Sequence, residues 1–557
     1  MDRLVQRLLV VTVVATVAMI YIYPLALSTP LLDPDEGLHA TIAQEMVERG
    51  DYLIPRFCGE PFRDKPILYF AAEAASLRVF GMNEAAVRLP GALFSLLGCF
   101  TTALLAARLF SKEVAAYALL ASLTLVFPMM LTLSPAHDIA LVPAVTCLVL
   151  CFWEQEHTTD AKTAKKWLAG GAVCVAFALL AKGLIGIGVI SAGLALYIVF
   201  TRSLSWQLVS RCALTLALGG LLASPWFLAM EAASPGYLKY YFIERHLLGF
   251  VTEGQEHGDA PWYYYVAPVL GGGMPWLVFS AAASAQLARD DRQSKESRAV
   301  LLLTCWFLGG FVFLTIAGSK LVTYSLPLFP PAAILAGVAF NRLFHGTLAP
   351  GIRWVVVNSF RCACVFGILA PVITLMILGH FLGSPSPLSA YLAAVAASLL
   401  MLTALLMFES GRARLALMFG VLWFPMIFAT VVTWPFQAVA EQHSQRSLAR
   451  AISSSKTRPQ QVVLIGERAG SVLFYLSRAD RDWFREGRIR EHYLSDYEGL
   501  PVLPSNSWVA VTDKTLRRSV RAQELASPGY VSAGRFCLIK SPKTSVAAGP
   551  HGEPSRK

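Results

Sequence analysis

Long apolar runs recur along this chain from about residue 5 to residue 435, separated by short polar connections. A membrane-spanning helix needs about 20 mostly apolar residues, because in hydrocarbon every backbone N–H and C=O must find its partner inside the segment. The runs at 5–27, 86–109, 114–133, 138–153, 167–182, 184–200, 212–230, 263–286, 299–317, 325–340, 356–382, 388–408 and 415–435 come close to that need. They predict a polytopic α-helical membrane protein with about thirteen transmembrane helices. The third to sixth runs are short, as expected of hairpins that tilt or end in a water-filled cavity. The first run follows Arg3 and Arg7 as a secretory signal would, but it is longer than a signal's apolar core and reads as a retained helix.

Polar segments divide the rest. Residues 28–85 form a long loop with helices of its own. Asp33 before Pro34, with Glu36 three positions after Asp33, is an N-cap, first-turn proline and capping-box pattern, and Gly50 supplies a stop. Leu38, Ile42 and Met46 then recur at helical spacing, which predicts an interfacial helix over about 34–49 with its apolar stripe on the bilayer surface. A second helix is expected from Pro66 through "ILYFAAEAASLRVF" to Gly81. Another loop, 231–262, mixes aromatic and charged residues suited to the headgroup level. From 436 the composition turns polar, with the β-like runs "QVVLIGE", "SVLFYLS", "SWVAVTD" and "RFCLIK". The predicted organisation is a membrane domain over 1–435, a small soluble α/β domain over 436–545 and a disordered tail over 546–557.

Composition sharpens this picture. The chain of 557 residues is 55% apolar and 15% charged, outside the range of soluble globular proteins. Its net charge of +11 suggests nucleic acid only until the positions are read. Lys162, Lys165, Lys166, Arg202, Arg211, Arg289, Arg292, Lys295, Arg298, Arg342, Arg353, Arg412 and Arg414 all fall in alternate connections. The positive-inside rule puts those connections in the cytoplasm, and with them the amino terminus. The loops 28–85 and 231–262 and the carboxyl-terminal domain then lie on the outer face. Most of the ten cysteines lie in or beside the spans as small apolar fillers. Cys58 and Cys537 would meet an oxidising compartment, and no spacing says whether they pair.

Ionisable groups at membrane level are costly, so each asks for a role. On this topology Asp33, Asp35, Glu36, Asp64, Lys65, His137, Asp138, Lys182, Lys320 and Tyr324 all fall at the outer level. Simple readings exist for each: Asp33 caps a helix, Asp35 and Glu36 suit a first turn, and Lys182 and Lys320 reach for headgroups. Together they offer carboxylates for a sugar or nucleophile and lysines for a phosphate. No P-loop, CxxC or HExxH pattern and no repeat of 20 to 50 residues is present.

The strings "PDEGLHATIAQEM", "GDYLIPRFCGEPFRDKPILYF" and "FGMNEAAVRLP", followed by "AKGLIG", "SPWFLAM", "DAPWYYYVAPVLGGGMPW" and "GSKLVTYSLPLFPPAAIL", cover most of the first 340 residues. They resemble the polyprenyl-phosphate-sugar-dependent glycosyltransferases, the family that holds 4-amino-4-deoxy-L-arabinose lipid A transferases and, more distantly, protein O-mannosyltransferases. The resemblance implies a GT-C fold whose two outer loops roof the active site. It makes Asp35 the key catalytic carboxylate, with Glu36 beside it and Asp138 in the same cavity. Lys65, in "DKP" where the family commonly reads "EKP", would bind the lipid phosphate, and Lys182, Lys320 and Tyr324 match further cavity positions. In the second outer loop the line is "ERHLLGF" where the arabinose transferases commonly read "EH" and then "RF", so Arg245 would supply the cation and donor and acceptor stay open.

The activity implied by the resemblance is that of an inverting glycosyltransferase. The expected donor is aminoarabinose on undecaprenyl phosphate and the expected acceptor lipid A. Mannose or galacturonic acid as the sugar, or a protein or glycan hydroxyl as the acceptor, remains open, as does a transporter of lipid or solute. The resemblance also allows a divalent ion, zinc above all, although no ligand spacing in the sequence marks one.

Overall fold

The structure is a computed structural model that describes residues 3–134, 136–251, 260–291, 293–381, 386–455, 457–484, 489–492, 507–518, 523, 526 and 529–540. The chain divides into two compact units, residues 1–28, 45–55 and 61–437 in the first and 29–44, 56–60 and 438–557 in the second. The tail expected over 546–557 lies outside the described residues.

The first unit is a helical membrane protein. Among the described residues, ten helices are long and apolar enough to cross a bilayer, and each matches an expected span. The remaining three expected spans are apolar but short or broken, so the count of thirteen is not reproduced. Over 114–133 the helix Lys112–Thr124 stops at an extended Leu125 and restarts as Val126–Leu131. Pro128 lacks the N–H that would have bonded to the Thr124 carbonyl, which frees the chain to break there. Over 263–286 the helices Val266–Gly273 and Trp276–Gln286 meet at a bend of 97° at Met274 and Pro275. The helix Ile185–Thr201 has only 17 residues.

Small residues let these helices pack closely, as in other membrane bundles. A Cβ on Gly309 would stand 2.8 Å from the Ala192 oxygen and the Gly193 Cα, so Lys295–Ile316 and Ile185–Thr201 touch backbone to backbone. The core between the helices is filled by Trp153, Phe279, Trp306 and Phe340. The helix Ile67–Phe80 starts after Pro66 and ends at Gly81, where φ is +87°. Leu53, Val79, Phe80 and Met82 leave apolar surface exposed around it, as a segment at the bilayer surface would.

The second unit holds a five-stranded mixed sheet in the order Ile489–His492, Gln461–Ile465, Ser507–Thr512, Phe536–Ile539, Val531–Ala533. Gln461–Ile465 pairs in parallel with both neighbours, and the other two pairings are antiparallel. All five of its residues are buried, as a strand covered on both faces requires. Leu448, Leu473, Trp508 and Phe536 form the core on one face, and Val463, Val509, Val511 and Leu516 the core on the other.

Two expectations change here, and the pairing left open for Cys58 and Cys537 is answered. The run "SVLFYLS" is not a strand, because Ser471–Tyr475 is helical. Cys58 and Cys537 form no disulfide with each other, since Cys58 packs on the first core and Cys537 belongs to the second. The stripe Leu38, Ile42 and Met46 of the helix Asp35–Arg49 is buried inside the protein. Thr41 Oγ1 donates to the Gly470 carbonyl at 3.0 Å and Gln44 Nε2 to that of Phe474 at 3.4 Å, so this helix packs on protein where bilayer was expected.

Candidate active site

Helix ends position the charges of the first unit. Asp138 stands in the first turn of His137–His157 and Lys182 is the last residue of Ala161–Lys182, each placed where the helix dipole favours its sign. Gly183, with φ +81°, turns the chain out of that second helix. A Cβ there would stand 2.6 Å from His246 Nε2 and 2.7 Å from the Tyr241 hydroxyl, so this turn needs glycine twice over. Lys182 Nζ lies 2.7 Å from Asp138 Oδ2, with the two side chains only 6% and 3% exposed. Asp138 Oδ1 is buried with no hydrogen-bond partner among the described residues. The Lys182 ammonium also lies 5.3 Å from the centre of the Tyr324 ring.

A second cluster forms around Asp64. Tyr240 donates its hydroxyl to Asp64 Oδ1 at 2.6 Å, and Arg245 Nη1 reaches the same oxygen and the Tyr240 hydroxyl at 3.1 Å each. Tyr240 and Arg245 share a face because Lys239–Leu248 is a π-helix, in which residues five apart come into register. His246 Nδ1 lies 2.6 Å from the Tyr241 carbonyl oxygen, and burial, aided by the Arg245 and Lys182 charges, holds the ring below its usual pKa and neutral. Lys65 lies between the two clusters. Burial first, and then the Lys182 and Arg245 cations, push its ammonium down to about 7 against the pull of Asp138 and Asp64.

Asp64, Lys65, Lys182, Arg245, His246 and Tyr324 line one cavity of about 1010 Å³, and Asp138 and Tyr240 stand behind its wall, each bonded to a lining residue. Asp64, Lys65, Lys182, Arg245 and Tyr324 are among its polar lining, and Leu184, Ile185, Leu247, Phe250 and Phe313 its apolar lining. Gly188 keeps the wall open, since a Cβ there would strike the Phe313 ring at 2.4 Å. Such a space suits an anionic headgroup with a hydrocarbon tail.

The structure thus brings together Lys65, Asp138, Lys182, Arg245 and Tyr324 of the residues singled out from sequence. Lys320 is buried next to the lining residue Ser319 but is not itself on the cavity wall, and no described residue pairs with it. Tyr240 and His246 were not read from sequence, and the signal for Tyr240 was its spacing of five from Arg245.

Asp35 and Glu36 belong to the second unit and differ sharply there. Asp35 is exposed and accepts no hydrogen bond from any described residue. Glu36 is buried and its Oε2 accepts the Leu32 N–H at 2.7 Å, the backward reach of a capping box. Asp33, expected to cap this helix, instead accepts from the Ser471 N–H at 2.6 Å, the Ser471 hydroxyl at 2.5 Å and the Gln445 N–H at 3.0 Å. Burial pushes its carboxyl up to about 6 in spite of those donors. Among the described residues no three His, Cys, Asp or Glu side chains converge as metal ligands.

Residues 64–228 match the dolichyl-phosphate-mannose-protein mannosyltransferase family. The chain is 30% identical over 57% of its length to undecaprenyl phosphate-α-4-amino-4-deoxy-L-arabinose arabinosyl transferase 2 of Proteus mirabilis, covering 56% of that protein. It is 30% identical over 58% of its length to the arabinosyl transferase of Aeromonas salmonicida, covering 59% of it. It therefore spans a little over half the length of these curated relatives. The fold is similar to ArnT from Cupriavidus metallidurans bound to undecaprenyl phosphate, with a TM-score of 0.74 at 22% identity over 97% of this chain and 99% of that one. The Archaeoglobus fulgidus oligosaccharyltransferase is similar at a TM-score of 0.53 and 12% identity, over 92% of this chain and 70% of that one. The resemblance read from sequence and the fold it implied are both supported, and the chain is a multi-span membrane protein of this architecture.

Proposed function

We propose that the chain is an inverting glycosyltransferase that moves 4-amino-4-deoxy-L-arabinose from undecaprenyl phosphate to lipid A at the periplasmic face of a bacterial inner membrane. The observation that carries this reading is the one cavity whose lining joins three cations to an apolar wall. The names of the relatives support the same donor. On this reading the amino terminus is cytoplasmic and the cavity opens outward.

The donor is a phosphodiester that needs no further activation. As the bond from the anomeric carbon to the phosphate oxygen breaks, its electron pair stays on that oxygen and undecaprenyl phosphate leaves. Lys65, Lys182 and Arg245 stabilise the charge that grows there. Arg245 contributes most once it trades Asp64 for the phosphate. The acceptor oxygen attacks from the opposite face and inverts the centre. A lipid A phosphate is already anionic, so Asp35 then orients sugar or acceptor. A hydroxyl acceptor would need Asp35 as general base.

The test is mass spectrometry of lipid A from a host lacking its own transferase but supplied with the donor. Expression of this chain is expected to add the mass of one or more aminoarabinose groups. Unchanged lipid A, with the protein and donor both present, overturns this acceptor and sends the search to glycans or proteins. Transfer by purified protein without any ion gradient separates an enzyme from a transporter. Added aminoarabinose neutralises surface phosphate and so weakens binding of cationic peptides such as polymyxin.

Lys65 predicts a pH dependence. Its free ammonium titrates at about 7, and a bound phosphate raises that value. The phosphodiester itself has no ionisation in this range, so the part of donor affinity that Lys65 supplies is full below pH 7 and lost as pH rises above it. We expect about a tenfold fall between pH 6.5 and 8.5, the range over which a pKa near 7 moves the lysine from charged to neutral. A Lys65→Arg variant should show a flat profile in the same equilibrium binding measurement, and an equal slope in both would sink this assignment.

A further inference from the structure

A second cavity, of about 1770 Å³, opens at the other end of the helical bundle. His137–His157 runs from Asp138 in its first turn to His157 on the rim of this second opening. At 1.5 Å per residue those ends lie about 30 Å apart, so the two cavities face opposite sides of a membrane. The apolar part of the wall is Phe152, Trp153, Phe200 and Leu301. Trp153 and Tyr197 are of the type that settles at headgroup level.

The polar part of the wall has unspent donors. Tyr197 is only 8% exposed, lines the cavity, and its hydroxyl has no hydrogen-bond partner among the described residues. Arg298 is exposed and makes a single long contact, 3.5 Å to Gln293 Oε1. Ser297 and Arg298 stand in the first turn of Lys295–Ile316, a helix of 22 residues whose positive end therefore faces the same space. Glu156 is the one acidic side chain among the described wall residues, and it is taken up by Arg211 at 3.2 Å. A cation, an unpartnered tyrosine hydroxyl and a helix amino terminus around an amphipathic slot recognise a phosphodiester that carries acyl chains.

We propose that this cavity binds an anionic glycerophospholipid, with its phosphodiester between Arg298 and the Tyr197 hydroxyl and an acyl chain along Phe152, Phe200 and Leu301. The site is separate from the donor cavity and stands whether or not the proposed transfer does. An anionic phospholipid here would anchor the turn between Trp276–Gln286 and Lys295–Ile316 at the headgroup level.

The full-length protein, purified in detergent, would be offered equal amounts of phosphatidylglycerol and phosphatidylcholine with the same acyl chains, and retained lipid counted by native mass spectrometry. Phosphatidylglycerol is expected to be retained about tenfold over phosphatidylcholine, the worth of one charge-assisted hydrogen bond. Arg298→Ala should remove that preference and Arg298→Lys keep most of it. Tyr197→Phe, which keeps the ring and its packing, should cut retention several-fold and so decides the matter if Arg298→Ala fails to fold. Saturating undecaprenyl phosphate, added to occupy the cavity that Lys65, Lys182 and Arg245 line, should leave the Arg298-dependent retention unchanged. Equal retention of the two lipids, a preference untouched by Arg298→Ala or Tyr197→Phe, or full competition by inorganic phosphate at equal concentration would each overturn the proposal.

Discussion

Lys182→Met is expected to destabilise the protein by about 3–5 kcal/mol, the cost of leaving one member of a buried ion pair without its partner. The Asp138 carboxylate is buried, only one of its oxygens is paired, and the partner of that oxygen is Lys182. Methionine keeps the length and apolar stem of lysine, so the loss measures charge and not packing. Replacing both partners, as Asp138→Asn with Lys182→Met, removes the uncompensated charge and should restore most of the stability while leaving the transfer dead. The check is the midpoint of thermal unfolding in detergent for the two single variants and the pair, read as a double-mutant cycle. A Lys182→Met protein that melts with the wild type would mean that water or lipid headgroups reach Asp138, and the pair would lose its structural weight. An inactive but fully stable double variant is the signature of a pair kept for chemistry.

That pair was legible in sequence only as two charges at one level of the membrane. The reason is physical: the bilayer forces long apolar runs on any spanning helix, so the runs, and with them the level of each charge, can be read from one sequence. Breaks inside the runs cannot, because Leu125 and Met274 are apolar like their neighbours and only the missing N–H of the nearby prolines acts on the chain. "SVLFYLS" failed for a related reason, since a short apolar run fits a buried strand and a buried helix turn equally well. Asp33 shows the opposite limit. Its local pattern as a helix cap is sound, yet its carboxylate is claimed by donors 412 and 438 residues away. Asp64 and Tyr240, 176 residues apart, meet through a π-helical turn that no periodicity of 3.6 reveals. Lys65, Asp138, Lys182, Lys320 and Tyr324 were legible as polar groups at one level of the membrane and Arg245 only through the resemblance to a family, while neither source tells that Asp138 and Lys320 stand off the cavity wall.

Asp35 and Glu36, neighbours on one helical turn, should separate in opposite ways. Asp35→Asn is expected to cut transfer about 10²–10⁴-fold, the worth of a positioned acid or base, with unfolding unchanged, because the carboxylate is exposed and pairs with no described residue. A stability change near zero is what an unpartnered surface carboxylate predicts, less the few tenths of a kcal/mol it gives to the helix dipole. Glu36→Gln should do the reverse. Its buried carboxylate accepts the Leu32 N–H, and a glutamine oxygen makes the same bond without the charge. The loss should be about 1 kcal/mol of stability with activity kept within a few fold. Each variant would be read twice, by donor turnover with the purified enzyme and by its melting temperature. An active Asp35→Asn would remove this residue from the chemistry and leave Asp138 as the carboxylate of the site. An inactive Glu36→Gln of normal stability would move the catalytic role one residue along the chain. The distinction rests on a general point: a carboxylate that the fold uses has its lone pairs already occupied, and one kept for a substrate has them free.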